Sequence, residues 1–437
     1  MSPSKKSAKR SGSNSSTGTL IVLAVVLLLG AFFILSGKDL LGIFGGSQAV
    51  NTTPIVVPTN TPKPIVPPTS TPIPPTDIPT PIPATATKTS PTPRASWWEV
   101  YFVSPIRVRQ ADEEAYGANG LPAELLKGSI TEKLIQRIEK AKKTIHIASY
   151  EIDIVDVAKA LARAKERGVD VRFITDDEAG LEADTKAGHG QLALLKKAGI
   201  QVIDDKRGAL MHHKFWLFDG ETTWTGSTNI TISGMFEQDN NVIVIESPEL
   251  TAIYERQFED MWAGKFNAKS PSAVDQQTVN IKGTQIQVLF SPEDKAISKI
   301  VPYIQNAKKS VHFLAFTYTQ PNLGKAMLDK AREGVDVKGV FETVGSDTEY
   351  SEMPPLYCAK VPVRQDTNFA FLHHKVIIVD EQIVITGSLN FTDNADQSNN
   401  ENVVIIDNAE IAKLYNQEFQ RIWGISKDPD PAKTTCK

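Results

Sequence analysis

Two short stretches carry the same reactive side chains at the same spacing, His212-x-Lys214-x4-Asp219 and His373-x-Lys375-x4-Asp380. Each runs on to a Gly-Ser-x-Asn, with Ser227 and Asn229 in the first and Ser388 and Asn390 in the second. Imidazole beside ammonium suits chemistry on an anion. A phosphodiester repels hydroxide, so its cleavage gains from a neutral nucleophile and from positive charge around the non-bridging oxygens. Two facing His-x-Lys arms supply both. One imidazole attacks phosphorus to form a phosphohistidine, and the other protonates the leaving oxygen and then activates water or an alcohol. Positions i and i+2 of a strand share a face, so His212 and Lys214 reach one pocket together. Lys214 and Lys375 form a charge clamp on the phosphoryl oxygens. Ser227, Asn229, Ser388 and Asn390 suit binding or orienting the phosphate.

Paired histidines also raise the question of a metal. Ammonium groups two residues away oppose a dication, and no Asp, Glu or Cys cluster accompanies His212-His213 or His373-His374. The expectation is therefore no metal and no cofactor. His213 and His374, on the opposite face of each strand, are expected to be packed and hydrogen-bonded. His146 and His312 fall in buried-looking strands, and His189 lies in a glycine-flanked loop.

The elements that must position these residues occur twice. Ala141–Ser149 reads against Ala307–Ala315 at an offset of 166, and from His212 onward the offset is 161, as in Tyr254/Tyr415, Phe258/Phe419 and Trp262/Trp423. A period this long indicates a duplicated domain rather than a solenoid. In the first copy a capping box at Ser129-x-x-Glu132 opens a helix, and Thr144–Tyr150 reads as a buried strand. Helix Val155–Arg167, strand Val169–Thr175 and helix Gln191–Ala198 follow. Strands Lys214–Phe218 and Thr222–Thr225 flank Asp219-Gly220, a hairpin-turn dipeptide. Strand Val242–Ile245 and a helix from Pro248 to about Trp262 complete the half. Such alternation predicts an α/β fold, each half a mixed, largely parallel sheet covered by helices, with the two halves packed about a pseudo-twofold axis. Trp262 and Trp423 are expected in the core.

Taken whole, the two motifs resemble those of the phospholipase D superfamily in its two-motif, single-chain form, over roughly residues 125–425. The resemblance implies two duplicated phospholipase D-like domains and a metal-independent phosphoric diester hydrolase. It implies that Asp219 and Asp380 mainly hold each motif's turn in shape. It also places a carboxylate at Glu401 to hydrogen-bond the catalytic histidine, where the first half has Asn240 at the same offset. A carboxylate favours imidazolium and an amide does not. Pairing within each half would make His212, beside Asn240, the neutral nucleophile and His373, beside Glu401, the general acid, unless Asp239 or Glu237 takes the place of Asn240.

The rest of the chain bears on substrate and location. Of its formal charge of −4, residues 1–94 contribute eight basic and two acidic side chains, leaving the remainder acidic. That disfavours long nucleic acid, whose binding draws on Lys and Arg. A basic tail (1–18) precedes an apolar anchor (19–36), Thr19–Leu35 being free of charge and just long enough to span a bilayer. The basic flank predicts a cytoplasmic N terminus and an extracytoplasmic catalytic region. Cleavage after Ser47-Gln48-Ala49 would instead release the protein. Residues 51–94 hold 14 of the 27 prolines, a disordered linker with an extended reach on the order of 130 Å at about 3.1 Å per residue. The two domains are expected at 95–270 and 271–427, with a tail at 428–437. Cys358 and Cys436 could pair outside the cytoplasm, but Cys436 lies one residue from the end, which argues against it.

Phospholipid is the favoured substrate. A phospholipase D-family nuclease, a phosphatidyltransferase of cardiolipin-synthase type and an inert surface-binding module are the alternatives. Both motifs in one chain imply a monomer. Phe369–Leu372 and Ala209–Met211, just before the motifs, either line an acyl-chain entrance or lead in as buried strand.

Overall fold

The computed structural model describes residues 97–267, 271–272 and 274–436. The basic tail, apolar anchor, candidate cleavage site and proline-rich linker lie outside these residues. Among the described residues no helix is long and apolar enough to cross a membrane.

Among the described residues, fifteen strands form two sheets. The first contains β1 (Trp98–Phe102), β2 (Thr144–Ser149), β3 (Asp170–Thr175), β4 (Gln201–Asp204), β5 (Lys214–Phe218), β6 (Thr222–Gly226) and β7 (Asn241–Glu246), in the order β1-β7-β6-β5-β2-β3-β4. The second contains β8 (Thr278–Ile281), β9 (Thr284–Ser291), β10 (Ser310–Ala315), β11 (Asp336–Phe341), β12 (Val363–Gln365), β13 (Lys375–Val379), β14 (Ile383–Gly387) and β15 (Glu401–Asp407), in the order β12-β11-β10-β13-β14-β15-β9-β8. Both sheets are mixed. They are not largely parallel, however: only β2-β3-β4 and β10-β11-β12 run parallel. Those are the strands joined by crossover helices. The motif strand follows in each half, and a two-residue turn at Asp219-Gly220 or Asp380-Glu381 sends the chain straight back, which forces antiparallel pairing.

Both faces of each sheet are covered. Along β5, Phe215 and Leu217 enter a central core, while Trp216 and Phe218 enter an outer one. Along β13, Val376 and Ile378 face the centre, while Ile377 and Val379 face outward. This is the period-2 alternation of a strand buried on both sides. Helices Ile130–Lys140 and Val155–Glu166 cover the first sheet's outer face, and Ala296–Gln305 and Pro321–Arg332 the second's. Ser129 caps the first of these by accepting from Glu132 N at 3.1 Å. The central core joins the halves, with Tyr254 and Phe258 of helix Pro248–Trp262 and Tyr415 and Phe419 of helix Ala409–Ile425 inside it. Trp262 and Trp423 are only partly buried. Each stacks on the core through Phe258 or Phe419 and carries an arginine, Arg172 or Arg364, over its other face.

Against the sequence expectation, Cys358 and Cys436 form a disulfide with Cα atoms 5.5 Å apart, tying the C-terminal segment to helix Met353–Cys358. The bridge closes a loop of 78 residues, which in the chain-entropy account stabilises by about 4 kcal/mol. Reduction with dithiothreitol, or Cys358→Ser, is expected to lower the thermal midpoint by several degrees in calorimetry. An unchanged midpoint would show that the tail contributes nothing to the fold.

Candidate active site

β5 and β13 begin at the two motif lysines, and the histidines lie just before them, where each half meets the other. Met211 pairs with Asn400, and Leu372 pairs with Asp239, in two short parallel bridges. His212 N donates to Asn400 O at 3.0 Å, and His373 N donates to Asp239 O at 2.9 Å. Both bridges relate residues by the same offset of 161, so the contact is self-complementary, as a twofold axis requires.

The side chains cross in the same way. His212 Nδ1 lies 2.8 Å from both oxygens of Glu401, and His373 Nδ1 lies 2.9 Å from Asn240 Oδ1. The expected pairing within each half is therefore corrected: each of the two motif histidines takes its partner from the opposite half. Asp239 and Glu237 do not substitute. Asp239 is held by Arg421 and Asn368, and Glu237 accepts from Val108 N. The Asn240 amide hydrogens go to Gly234 O and Gln238 Oε1, which leaves its oxygen facing the ring. Both acceptors thus hold a proton on Nδ1 and leave each Nε2 as the reactive nitrogen.

Ser227 and Ser388 are hydrogen-bonded to these partners. Both are fully buried. Ser227 Oγ donates to Asn240 Oδ1 at 2.8 Å, and Ser388 Oγ donates to Glu401 Oε2 at 2.6 Å. Each also accepts a backbone N–H, from Asn241 or Asn402. Gly226 and Gly387 precede them at φ +154° and +153°, where a Cβ would run into the carbonyl of Asn241 or Asn402. The Gly-Ser pair is a clamp on the histidine's partner.

Lys214 and Lys375 are almost wholly buried, and their Nζ atoms donate to the carbonyls of His212 and His373 at 3.0 and 2.7 Å. Burial pushes His212 down to about 4, with Glu401 opposing and Lys214 adding to the effect. Burial, then Lys375 and Lys214, hold His373 well below its ordinary value. Burial brings Lys214 down to about 8 against the pull of Glu401 and Glu151. Lys375 falls well below its usual range, through burial and the charge of Lys214. The four groups form one electrostatic unit that favours an anion.

Asp219 and Asp380 sit apart from this pocket in left-handed turns, φ +56° and +55°. Each carboxylate accepts three consecutive backbone N–H groups, from Lys142, Lys143 and Thr144 or from Lys308, Lys309 and Ser310. They pin the motif hairpin to the start of the neighbouring strand, as the resemblance implied. Asn229 Nδ2 donates to Glu151, and the Oδ1 atoms of Asn229 and Asn390 are buried without a protein partner. His213 and His374 are buried and bonded across the interface, to Asn402 and Asn241. His146 and His312 stack on Phe258 and Phe419. His189 is half-buried in its loop. Two groups of described residues bring ligand atoms within 4.8 Å of one another, His146 with Glu255 and Glu259, and Asp176 with Asp177 and Asp205. Neither includes a motif histidine.

Sequence reasoning missed the rings that wall the site. Tyr150 meets His212 edge-on at 5.0 Å with Lys214 Nζ 5.2 Å from its centre, and Phe316 repeats this for His373 and Lys375 at 4.7 Å. Their shared offset of 166 was the available signal. Of the motif lead-ins, Met211 and Leu372 are core, Phe371 packs on Phe316, and Phe369 is exposed.

With this geometry in hand, the similarities to known proteins become informative. A family model described as cardiolipin synthase, PLD-like domain matches residues 134–262 and again 300–423, more than half of the chain. A mitochondrial cardiolipin hydrolase of Xenopus laevis is 37% identical over 139 residues, 32% of this chain and 65% of that protein, just under two thirds of its length. A phospholipase D of Rickettsia bellii is 33% identical over 136 residues, 31% of this chain and 68% of that protein. Among solved structures, a phosphatidylserine synthase of Haemophilus influenzae matches 68% of this chain and 84% of its own at 15% identity and a TM-score of 0.53, a likeness of fold.

The crossed pairing has a direct test. Asn240→Asp places a carboxylate against one imidazole and is expected to raise the pKa of His373 alone, read by NMR titration of the histidine ring signals. A rise at His212 instead would mean that the partners lie within each half.

Proposed function

Since the chain belongs to the phospholipase D superfamily, we propose that it is a phosphodiesterase that cleaves phospholipids through a covalent phosphohistidine. The observation that carries this reading is the pair of buried imidazoles, each held at Nδ1 from the opposite half and each beside a buried lysine. A phosphodiester anion placed between them opposes the effect of burial, favouring the charged form of the lysines and of the general acid.

The two histidines divide the work by the charge of their partners. Attack by His212 Nε2 on phosphorus breaks the bond to the leaving oxygen and puts positive charge on the ring, which Glu401 neutralises through Nδ1. His373 Nε2–H gives its proton to the departing oxygen. The neutral Asn240 does nothing to hold that proton back, which makes His373 the stronger acid. Water then gives a proton to His373 and attacks phosphorus, and the phosphorus–nitrogen bond to His212 breaks. His212 is thus the nucleophile, though for a reason opposite to pairing within one half: its partner is the carboxylate. The lysines neutralise the equatorial oxygens, and the chemistry calls for no metal.

Phospholipid is favoured by the matched family and by the surroundings of the histidines. These are aromatic, with Tyr150, Phe316 and Phe371 around the histidines. The apolar stretch at 19–36 would hold the enzyme at an extracytoplasmic membrane face.

The test uses the full chain with phosphate-labelled phospholipid in mixed micelles, quenched and assayed for acid-labile protein-bound label. His373→Ala is expected to lose about 10²–10⁴-fold in turnover while retaining label, and His212→Ala is expected to hold none. Label on His212→Ala would overturn the assignment. Activity is expected to persist in EDTA, and its loss there would overturn the metal-free mechanism.

A further inference from the structure

Five large apolar side chains are exposed among the described residues: Ile106, Val344, Tyr350, Phe369 and Ile425. Isolated exposed apolar residues mean little, but a contiguous set marks a surface that binds something. The segment leading from β12 to the second motif brings the stretches that carry them together. Thr343 Oγ1 donates to Asp366 O at 2.7 Å, which brings Val344 against that segment. Thr367 Oγ1 donates to Ile425 O at 2.7 Å, which brings the end of helix Ala409–Ile425 to its other side. Phe369 lies two residues further on, with Arg107 4.4 Å over its ring and Ile106 adjacent in the chain. Tyr350 belongs to the same loop as Val344.

The patch borders the site. Phe371 packs on Phe316 at 5.9 Å, and Phe316 packs on His373 at 4.7 Å. Glu342, next to Thr343, accepts from Leu372 N at 2.7 Å. A run of rings therefore leads from the apolar surface to the second histidine.

The duplication shows that the fold does not require these residues. The positions equivalent to Val344, Phe369 and Ile425 in the first half are Glu178, Gly208 and Gly264, on a scaffold that is otherwise the same. One rim of the site is charged or bare, and the other is apolar. Exposed Arg107 and Lys427 flank the apolar rim, as suits contact with lipid phosphates. The apolar stretch at 19–36, which the sequence analysis reads as an anchor, would place the same chain at a bilayer surface.

We propose that the Val344, Phe369, Ile425 and Ile106 patch is the face with which the protein rests on a phospholipid bilayer, admitting lipid to the paired histidines. This deepens the phospholipid reading and rests on it.

Two measurements on the full chain reconstituted in phosphatidylglycerol–phosphatidylcholine vesicles separate the inference from that reading. In Val344→Asp/Ile425→Asp, cleavage of bilayer lipid is expected to fall at least tenfold, while cleavage of a short-chain phospholipid below its micellar concentration stays within twofold. Equal losses on both substrates, or none on either, would overturn the proposal. Independently of catalysis, a reporter placed by Val344→Trp is expected to be quenched by brominated lipid. An unquenched indole would rule out contact, and a variant that only changes the oligomeric state would assign the patch to a second copy. Quenching without cleavage of either lipid would leave the contact in place and remove the lipid substrate.

Discussion

Everything at the centre of this protein depends on hydrogen bonds that neither half can complete alone. A buried imidazole needs an acceptor at Nδ1, and a buried amide or carboxylate left without its partner costs roughly 1–3 kcal/mol or more. Here the acceptors lie across the interface. Glu401 accepts from His212, Asn240 from His373 and Asn402 from His213, while for His374 the sense is reversed, Asn241 Nδ2 donating to its Nδ1. Thr386 and Tyr415 donate to Asn241, Asn402 donates to Thr225, and Glu418 meets His374 Nε2, while His213 Nε2 is buried without a protein partner. Separation of the halves would expose an apolar core and strand these polar groups together. Packing and chemistry are therefore secured by the same contacts.

That network explains why the motif is longer than its reactive atoms. The aspartates hold the hairpins, the glycines let one strand approach the next, and the serines aim Asn240 and Glu401. Asn229 and Asn390 differ from these residues, since the Oδ1 atom of each is buried without a protein partner. A substitution at Ser388 would act through Glu401 on His212, at the far side of the interface, without touching a substrate.

Much of this was legible in the sequence, and what was not follows from symmetry. The helices at 130–140, 155–166, 191–197 and 248–262, the motif hairpin and its turn aspartates could be read from apolar periodicity, the Asp219-Gly220 turn and the repeat offsets, to within a residue or two, whereas helices Gln110–Asn119 and Met353–Cys358 were not. The crossing of partners could not. An offset of 161 states that Asn240 corresponds to Glu401 and His212 to His373. A twofold axis makes pairing within a half and pairing between halves equally consistent with that correspondence. The antiparallel majority was missed because alternating helices and strands describe only the first part of each half, before the chain doubles back. The disulfide was missed because closeness to the chain end was taken for mobility, whereas the helix bearing Cys358 lies where the C-terminal segment returns. The apolar rim has no periodic signature, since Val344, Phe369 and Ile425 are far apart in the chain and meet only through loop contacts.

The duplication has a further consequence for the chemistry. A homodimer of one half would place the same residue at both partner positions, because symmetry permits no other choice. Both imidazoles would then face carboxylates, or both amides. In the first case the acid would be weakened by the charge that holds its proton. In the second the phosphohistidine would lack a counter-charge. Joining two copies in one chain releases position 240 from position 401. The result is Asn240 against Glu401, a change from carboxylate to amide within an otherwise matched network of Ser227 and Ser388. The geometry remains twofold while the electrostatics do not. In the proposed mechanism, that asymmetry is what assigns two nearly identical histidines to opposite halves of one reaction.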